Sequence, residues 1–416
     1  MNAEVITIGT ELLLGEIVDT NAAHIARQMR TIGLDLYYKT TVGDNETRCA
    51  AVIDRALDRA EVVLTTGGLG PTVDDITREA VARATDRSLE FRLDLLRQIQ
   101  ERFDRWGATM SDNNRRQAYV PQDAIPIENP VGTAPCFIVE TERGVVISLP
   151  GVPREMEYLL ANEVLPYLRS RFDLVSVIQT RVLRTAGMGE SQIDAALRDM
   201  LTAANPSIGL SAHPGQTDVR ITAKAENEEA ANQLIAPVEA QVRQRLGRAI
   251  YGTGDETVEQ VALAHLITAG YSLVAAESGT GGLLTNRLST AAGTETAFLR
   301  GYVSNDPSAL GRTLGIDGEP SVDDSLEAFA GRLARRLIEL GSETENNRRL
   351  ALVVLTLPRL GEDAATSAGG TVIALGTPNE VKTRLLGFGG HASHVAIWAT
   401  THALEFMRRW LLDHLH

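Results

Sequence analysis

Thr65-Thr66-Gly67-Gly68-Leu69-Gly70-Pro71-Thr72-Val73-Asp74-Asp75-Ile76-Thr77 concentrates the residue types best suited to chemistry in this chain. An apolar, β-rich run enters a glycine turn, and helix-type residues follow. Such a turn lets backbone N–H groups approach an anion, and the next helix N-terminus adds a favourable dipole. It is not a dinucleotide fingerprint, because Val73 stands where a third glycine belongs. It is not a Walker A loop, because no Lys-Ser/Thr pair follows. Two adjacent carboxylates repel a phosphate unless a hard cation sits between them, and Mg²⁺ uses one or two carboxylates plus phosphate oxygens in that way. A tight turn with aspartates in the first helical turn explains the same residues without any ligand. On this run alone both readings stay open.

Four further polar turns lie in the first third of the chain. Gly9-Thr10-Glu11 follows the first apolar run and leads to Asp19-Thr20-Asn21 before a helical stretch. Capping accounts for the last three, but less readily for Thr10 and Glu11. Asp112-Asn113-Asn114-Arg115-Arg116-Gln117 offers guanidinium and amide groups suited to planar contacts with phosphate or carboxylate, and equally suits a solvated loop. Asn129-Pro130-Val131-Gly132-Thr133-Ala134-Pro135 and Leu149-Pro150-Gly151-Val152-Pro153-Arg154-Glu155-Met156 are rigid Gly/Pro turns. Near the other end, Glu277-Ser278-Gly279-Thr280-Gly281-Gly282 follows an apolar run and opens a helix. A serine backed by glycine amides there reads as a nucleophile beside an oxyanion-binding turn, or as a helix cap.

The elements that must position these turns alternate. Ala3–Ile8, Asp35–Val42, Glu61–Thr66 and Gly144–Leu149 read as strands; Asn21–Ile32 and Ala50–Ala60 read as helices. That alternation predicts βαβ units and a mostly parallel sheet. Ligands of such sheets sit at the carboxyl edge, where Gly9 and Gly67 both emerge. From about Phe172 a βαββα block follows: Ser176–Arg184, Ser191–Leu201, Ser207–Ala212, Asp218–Ala225 and Glu228–Leu246. After Tyr251-Gly252-Thr253-Gly254 the α/β alternation returns, with a helix over 257–269, strands over Ser272–Ala276, Leu350–Thr356 and Thr371–Leu375, and a last helix over about 400–414.

The chain has 416 residues, 44% apolar and 23% charged, which excludes disordered and fibrous classes. No apolar stretch is long enough for a membrane span, and the start is not a signal peptide, so the cytoplasm is expected. The net charge of −14 disfavours broad nucleic-acid binding. Lys39, Lys224 and Lys382 are the only lysines. Cys49 and Cys136 lack metal or redox spacing and are expected as buried apolar groups. His391-x-x-His394 lacks an obvious third ligand and reads as packing or surface histidines.

In this order, GTELLLGEIVDTNA, GLGPTVDDIT, NNRRQA, NPVGTAP and LPGVPREM resemble the CinA family of competence/damage-inducible proteins. The resemblance implies an N-terminal three-layer α/β domain similar to the molybdopterin-binding fold over 1–168. A small α+β KH-like domain over 169–252 and an α/β deamidase-like domain over 253–416 complete it. It implies ADP-ribose pyrophosphatase activity dependent on a divalent metal (Mg²⁺, Mn²⁺ or Co²⁺), a small nucleotide substrate and a homodimer. On that match Asp74 and Asp75 would hold the metal, with Glu11 and Arg115 as further catalytic candidates and Arg116 the alternative to Arg115 for offsetting charge. Thr10, Asn21, Gly67, Gly68, Gly70, Pro71, Thr72, Asn114, Gly132, Thr133 and Gly151 would line the substrate site. Gly187-Met188-Gly189-Glu190 departs from the GxxG clamp of nucleic-acid-binding KH domains, so a structural role is expected there.

The run Glu277-Ser278-Gly279-Thr280 resembles the ESCTGG motif of the PncC-type nicotinamide mononucleotide amidohydrolase domain, with Ser278 at the nucleophile position. Here Gly279 replaces the family cysteine. The lysine of a YSNEAK-like segment is missing from Gly301–Leu310, and Leu357–Asp363 replaces a glycine-rich loop. A serine without a base is a weak nucleophile. The expectation is a deamidase-like fold of lost or reduced activity.

Overall fold

The computed structural model describes residues 1–291, 297–316, 325–340, 348–356, 370–387 and 392–414. The first domain holds strands β1 (Asn2–Ile8), β2 (Asp35–Val42), β3 (Val62–Thr66), β4 (Leu89–Phe91), β5 (Tyr119–Pro121), β6 (Ile125–Ile127), β7 (Cys136–Thr141) and β8 (Gly144–Leu149). Six of these form a sheet ordered β2-β1-β3-β8-β7-β6, while β4 and β5 pair apart from it. The four strands β2, β1, β3 and β8 are parallel; β7 and β6 join antiparallel.

Alternating residues of this sheet enter two different cores, as a pleated strand requires. Ile6, Ile8, Val63, Phe137, Val139 and Val146 face one cluster, with Ile53 and Leu57 of the helix Glu46–Leu57. Val5, Val62, Leu64, Ile138, Ile147 and Leu149 face the other, with Ile25 and Met29 of the helix Thr20–Thr31. Helices on both faces bury every residue of β3, from Val62 to the polar Thr65 and Thr66, and make the domain three-layered. A carboxylate is also fully buried on β1, that of Glu4. It is held by two 2.8 Å bonds from Arg59 and one of 2.7 Å from Thr40.

The middle block carries β9 (Val177–Ala186), β10 (Ser207–His213), β11 (Gln216–Ala225) and β12 (Ile250–Thr253) in the order β10-β11-β9-β12. The C-terminal sheet is ordered β14-β13-β15-β16-β17, comprising β13 (Ser272–Ser278), β14 (Phe298–Ser304), β15 (Arg349–Thr356), β16 (Gly370–Gly376) and β17 (Val381–Gly387). It too packs helices on both faces, with Leu273, Leu352 and Val354 on one side and Val274, Val353 and Leu355 on the other.

The chain forms two compact units, residues 1–179 with 223–234, and residues 180–222 with 235–416. Compactness therefore does not break at Tyr251–Gly254. Ala186 and Tyr251 share a buried core with Leu263, Leu352 and Met407. Within this second unit Glu405, 2% exposed, binds Arg408 (2.6 and 2.9 Å) and Arg409 (2.6 Å). Arg408 also reaches the Arg248 carbonyl, and Arg409 the Ala186 carbonyl at 3.2 Å. The turn at Gly187 lies against the same cluster: a Cβ there would come within 2.9 Å of the Arg409 guanidinium. Both cysteines are free and buried, and burial pushes their thiols up. No helix among the described residues is long and apolar enough to cross a membrane.

The last helix, expected from about residue 400, spans Ala392–Asp413. The turn-to-helix step after the glycines is later than expected, since the helix starts only at Thr77. Residues 357–363 and His391 lie outside the described residues.

Candidate active site

Because β1, β3 and β8 run parallel in register, with Thr7 beside Thr66 and Thr66 beside Leu149, their carboxyl ends deliver Gly9, Gly67 and Gly151 to one edge. Close approach requires glycine here. A Cβ on Gly67, whose φ is +105°, would lie 2.2 Å from the Ile8 carbonyl oxygen, and one on Gly68 would lie 2.3 Å from Thr77 Oγ1. The Thr77 hydroxyl donates to the Gly67 carbonyl at 2.7 Å, and the Thr77 amide to Gly68 at 3.1 Å. The loop thus leaves at Gly68 and returns at Thr77, placing the helix N-terminus against the glycine pair.

Two cavities flank this turn, and Gly68, Asp75 and Gly151 line both. The first lobe, about 310 Å³, includes Glu11, Asn21, Asp44, Thr66 and Asp74. The second, about 300 Å³, includes Gly70, Pro71, Gln117, Thr133 and Glu155.

In the first lobe the Asn21 amide nitrogen donates to the Gly151 carbonyl (2.8 Å) and to Thr66 Oγ1 (3.1 Å), while Thr66 donates onward to Pro150. Both nitrogen partners are acceptors, which fixes the amide orientation. Asn21 Oδ1 is buried with no hydrogen-bond partner among the described residues, a position that a ligand donor would satisfy. Thr10 is engaged by Asp44 through its amide (2.8 Å) and hydroxyl (2.7 Å). The Glu11 carboxylate folds back over Gly9, where a Cβ would lie 2.6 Å from its Oε1.

The paired aspartates have different environments. Asp75 accepts from the Gly70 amide (2.7 Å), the Thr72 amide (2.8 Å) and the Thr72 hydroxyl (2.5 Å), so it clasps the loop. Asp74 is exposed. The Thr72 hydroxyl, its own backbone amide and the Arg116 charge hold its carboxyl below the ordinary range. Among the described residues no group of three or more His, Cys, Asp or Glu is arranged to hold a metal. The donors therefore fit a hard cation only when phosphate oxygens complete its shell.

Arg116 donates to the Thr72 carbonyl at 2.8 Å and meets Glu79 at 3.2 Å. Arg115 instead lies over the Phe91 ring at 5.7 Å and lines neither lobe. Asn114 is buried and donates to Gln117 (3.0 Å), whose own amide reaches the Leu69 carbonyl (3.4 Å) and Thr133 Oγ1 (3.3 Å). Asn114 thus positions Gln117. Gly132 lies directly over Glu155, since a Cβ there would fall 2.0 Å from the Glu155 carboxyl carbon.

Sequence reasoning missed Asp44, Arg78, Gln117 and Glu155. Asp44 follows β2 at the same carboxyl edge, a signal that the parallel-strand rule carries. Arg78 had none: it is 2% exposed and donates to the Leu69 and Gly70 carbonyls, and burial lowers its guanidinium to about 10.

At the C-terminal motif, Glu277 is fully buried and accepts from Thr280 Oγ1 (2.5 Å), the Leu284 amide (3.0 Å) and the Thr285 amide (2.7 Å). It neutralises the start of the helix Leu283–Thr290. Ser278 is fully buried, and its Oγ has no partner among the described residues. Lys382 is paired with Glu380 at 3.1 Å. Gly279 has φ +77°, and a Cβ there would lie 2.0 Å from the Thr356 carbonyl oxygen. Gly279→Ala is therefore expected to lower stability by about 1–3 kcal/mol, read as a shift in the urea midpoint.

Three family models match the chain in order: "Probable molybdopterin binding domain" over residues 4–170, "Damage-inducible protein CinA KH domain" over 180–252, and "CinA C-terminal domain" over 255–348. A Clostridium botulinum (strain 657) protein carrying the name competence-damage inducible protein is 36% identical over 98% of this chain and 99% of its own length. A namesake in Caldicellulosiruptor bescii is 37% identical over the whole of both chains. The chain belongs to the CinA family. A solved CinA structure from Thermoplasma acidophilum is 37% identical, covering 40% of this CinA-family chain and 96% of that one, with a TM-score of 0.38. The order of the CinA domain models follows the βαβ, βαββα and second α/β blocks read from the sequence.

Proposed function

We propose that the N-terminal domain hydrolyses the pyrophosphate of ADP-ribose to AMP and ribose 5-phosphate with a divalent metal. One observation carries the reading: two lobes, each about 300 Å³, share the glycine turn as a common wall. That arrangement suits a ligand with two sugar-bearing ends and a pyrophosphate between them. Each lobe lies at the lower end of the small-ligand range. The family resemblance supplies the substrate's identity.

The residues then divide the work. The Gly67, Gly70 and Thr72 amides are taken by the Leu149 carbonyl and Asp75, so other N–H groups of the turn bind phosphate oxygens, and Asn21 Oδ1 accepts from a hydroxyl or amine at one end of the ligand. Asp75 and Arg78 keep the loop in shape. Asp74, with phosphate oxygens, would hold the metal, which when bound offsets charge on the transferring phosphoryl group. Arg116 adds positive charge beside the Thr72 carbonyl.

The test is release of AMP and ribose 5-phosphate from ADP-ribose with Mg²⁺, Mn²⁺ or Co²⁺, and with a chelator. Turnover with at least one ion and none with the chelator is expected. No turnover with any ion overturns the proposal and favours a binding protein. For the C-terminal domain we propose impaired chemistry, because no base reaches Ser278 Oγ among the described residues. The full chain should release no ammonia from nicotinamide mononucleotide; a normal rate would mean that a replacement base completes the site.

A further inference from the structure

The proposed hydrolysis needs a group that takes a proton from the attacking water, and the aspartate pair is poorly placed to supply it. Asp75 already accepts three loop hydrogen bonds. Asp74 is exposed and is the carboxylate proposed to hold the metal, which commits its oxygens to the cation. The second lobe holds one other acid. We infer that Glu155 is the general base that activates the water attacking the pyrophosphate, a role that rests on the hydrolase reading above.

The geometry is that of a carboxylate set in place and left facing the ligand. Glu155 is in the first turn of the helix Pro153–Leu159, immediately after the Pro150-Gly151 turn that borders both lobes. Asn129 Nδ2 donates to its Oε2 at 2.5 Å. Asn129 is itself 4% exposed and braced on the Ala134 carbonyl at 2.9 Å. Gly132 crosses the carboxyl without a side chain, as its missing Cβ would collide with it. Among the charged groups nearby, Asp75 lines the same lobe. Arg102 turns away to the Asn129 and Pro130 carbonyls, with Glu128 at 3.4 Å. Among the described residues no cation pairs with Glu155, and burial raises its carboxyl above the ordinary range. That shift brings it toward the value useful for proton transfer near neutrality.

The step balances simply. The water oxygen forms the new P–O bond, its proton passes to Glu155, and the bridging P–O bond breaks to release one phosphate monoester. Glu155 then returns the proton to solvent. The sign of the linkage also follows. A carboxyl raised in the folded state makes the fold less stable as pH rises past its unfolded value. Removing the charge should therefore not harm the fold at neutral pH.

The experiment is Glu155→Gln in the full chain at saturating metal, following ADP-ribose turnover, KM, pH profile and melting. We expect kcat to fall about 100-fold or more, with KM and melting temperature unchanged or the latter higher, and the acid limb of the kcat/KM profile lost. A folded variant within threefold of wild-type kcat, with the same acid limb, overturns the role of Glu155 while leaving the hydrolase reading intact. If the variant does not fold, the wild-type profile decides. An acid limb above the ordinary carboxylate range supports the assignment, and its absence overturns it. No turnover by wild type with any metal overturns both.

Discussion

Asp75→Asn should reduce ADP-ribose turnover by about 10²–10³-fold at saturating metal, an effect of the size seen when one preorganising group is lost from a site. The carboxylate accepts from two amides and a hydroxyl using both oxygens. An asparagine offers one acceptor oxygen and turns an NH₂ toward at least one of those donors. Each donor left unsatisfied costs about 1–3 kcal/mol, and Gly70 and Thr72 are the residues that shape the turn. The buried Arg78 also loses the nearby negative charge of Asp75. If Asp75 acts through the loop, kcat falls while apparent metal affinity holds. If it is a direct ligand, the metal requirement rises and excess metal restores rate. Asp74→Asn is the comparison, and there the metal requirement should rise with the loop intact. A fully active Asp75→Asn enzyme rejects both roles.

Glu405→Ala should be the most damaging single change to stability in the second unit. Its carboxylate is buried between two guanidiniums, and Arg408 is itself only 2% exposed. Deleting one partner leaves a buried charge uncompensated, a loss of about 3–5 kcal/mol. Calorimetry of the full chain should show a transition lowered by on the order of 10 °C. ADP-ribose turnover at 25 °C should survive, because the candidate site lies wholly in residues 1–179 of the first unit. An unmoved transition would show that the cluster contributes nothing.

Much of this architecture was legible in the residues. Asp35–Val42 and Glu228–Leu246 form a strand and a helix over the ranges that their periodicity predicts. The three glycine turns meet because parallel strands must end at one edge. What escaped notice had physical reasons. Strand β17 is exposed along most of its length, so VKTRLLG carries no alternation to read. Among site residues, glycines and aspartates advertise themselves by type. Arg78 and Glu155 look like ordinary charged helix residues, and only tertiary packing buries them. Choosing between Arg115 and Arg116 needed the helical phase of residues 112–118.

The core shared by Ala186, Tyr251 and the C-terminal sheet limits how this chain can be shortened. A stop codon after Thr253 would remove more than the C-terminal domain. It would strip Ala186 and Tyr251 of the buried core that they share with it. Point substitution is the gentler route. Exchanging side chains around Ser278, or placing glycine at position 279, alters the chemistry of one strand end and leaves the shared interior filled. A domain built into its neighbour's foundations cannot be deleted without cost to that neighbour.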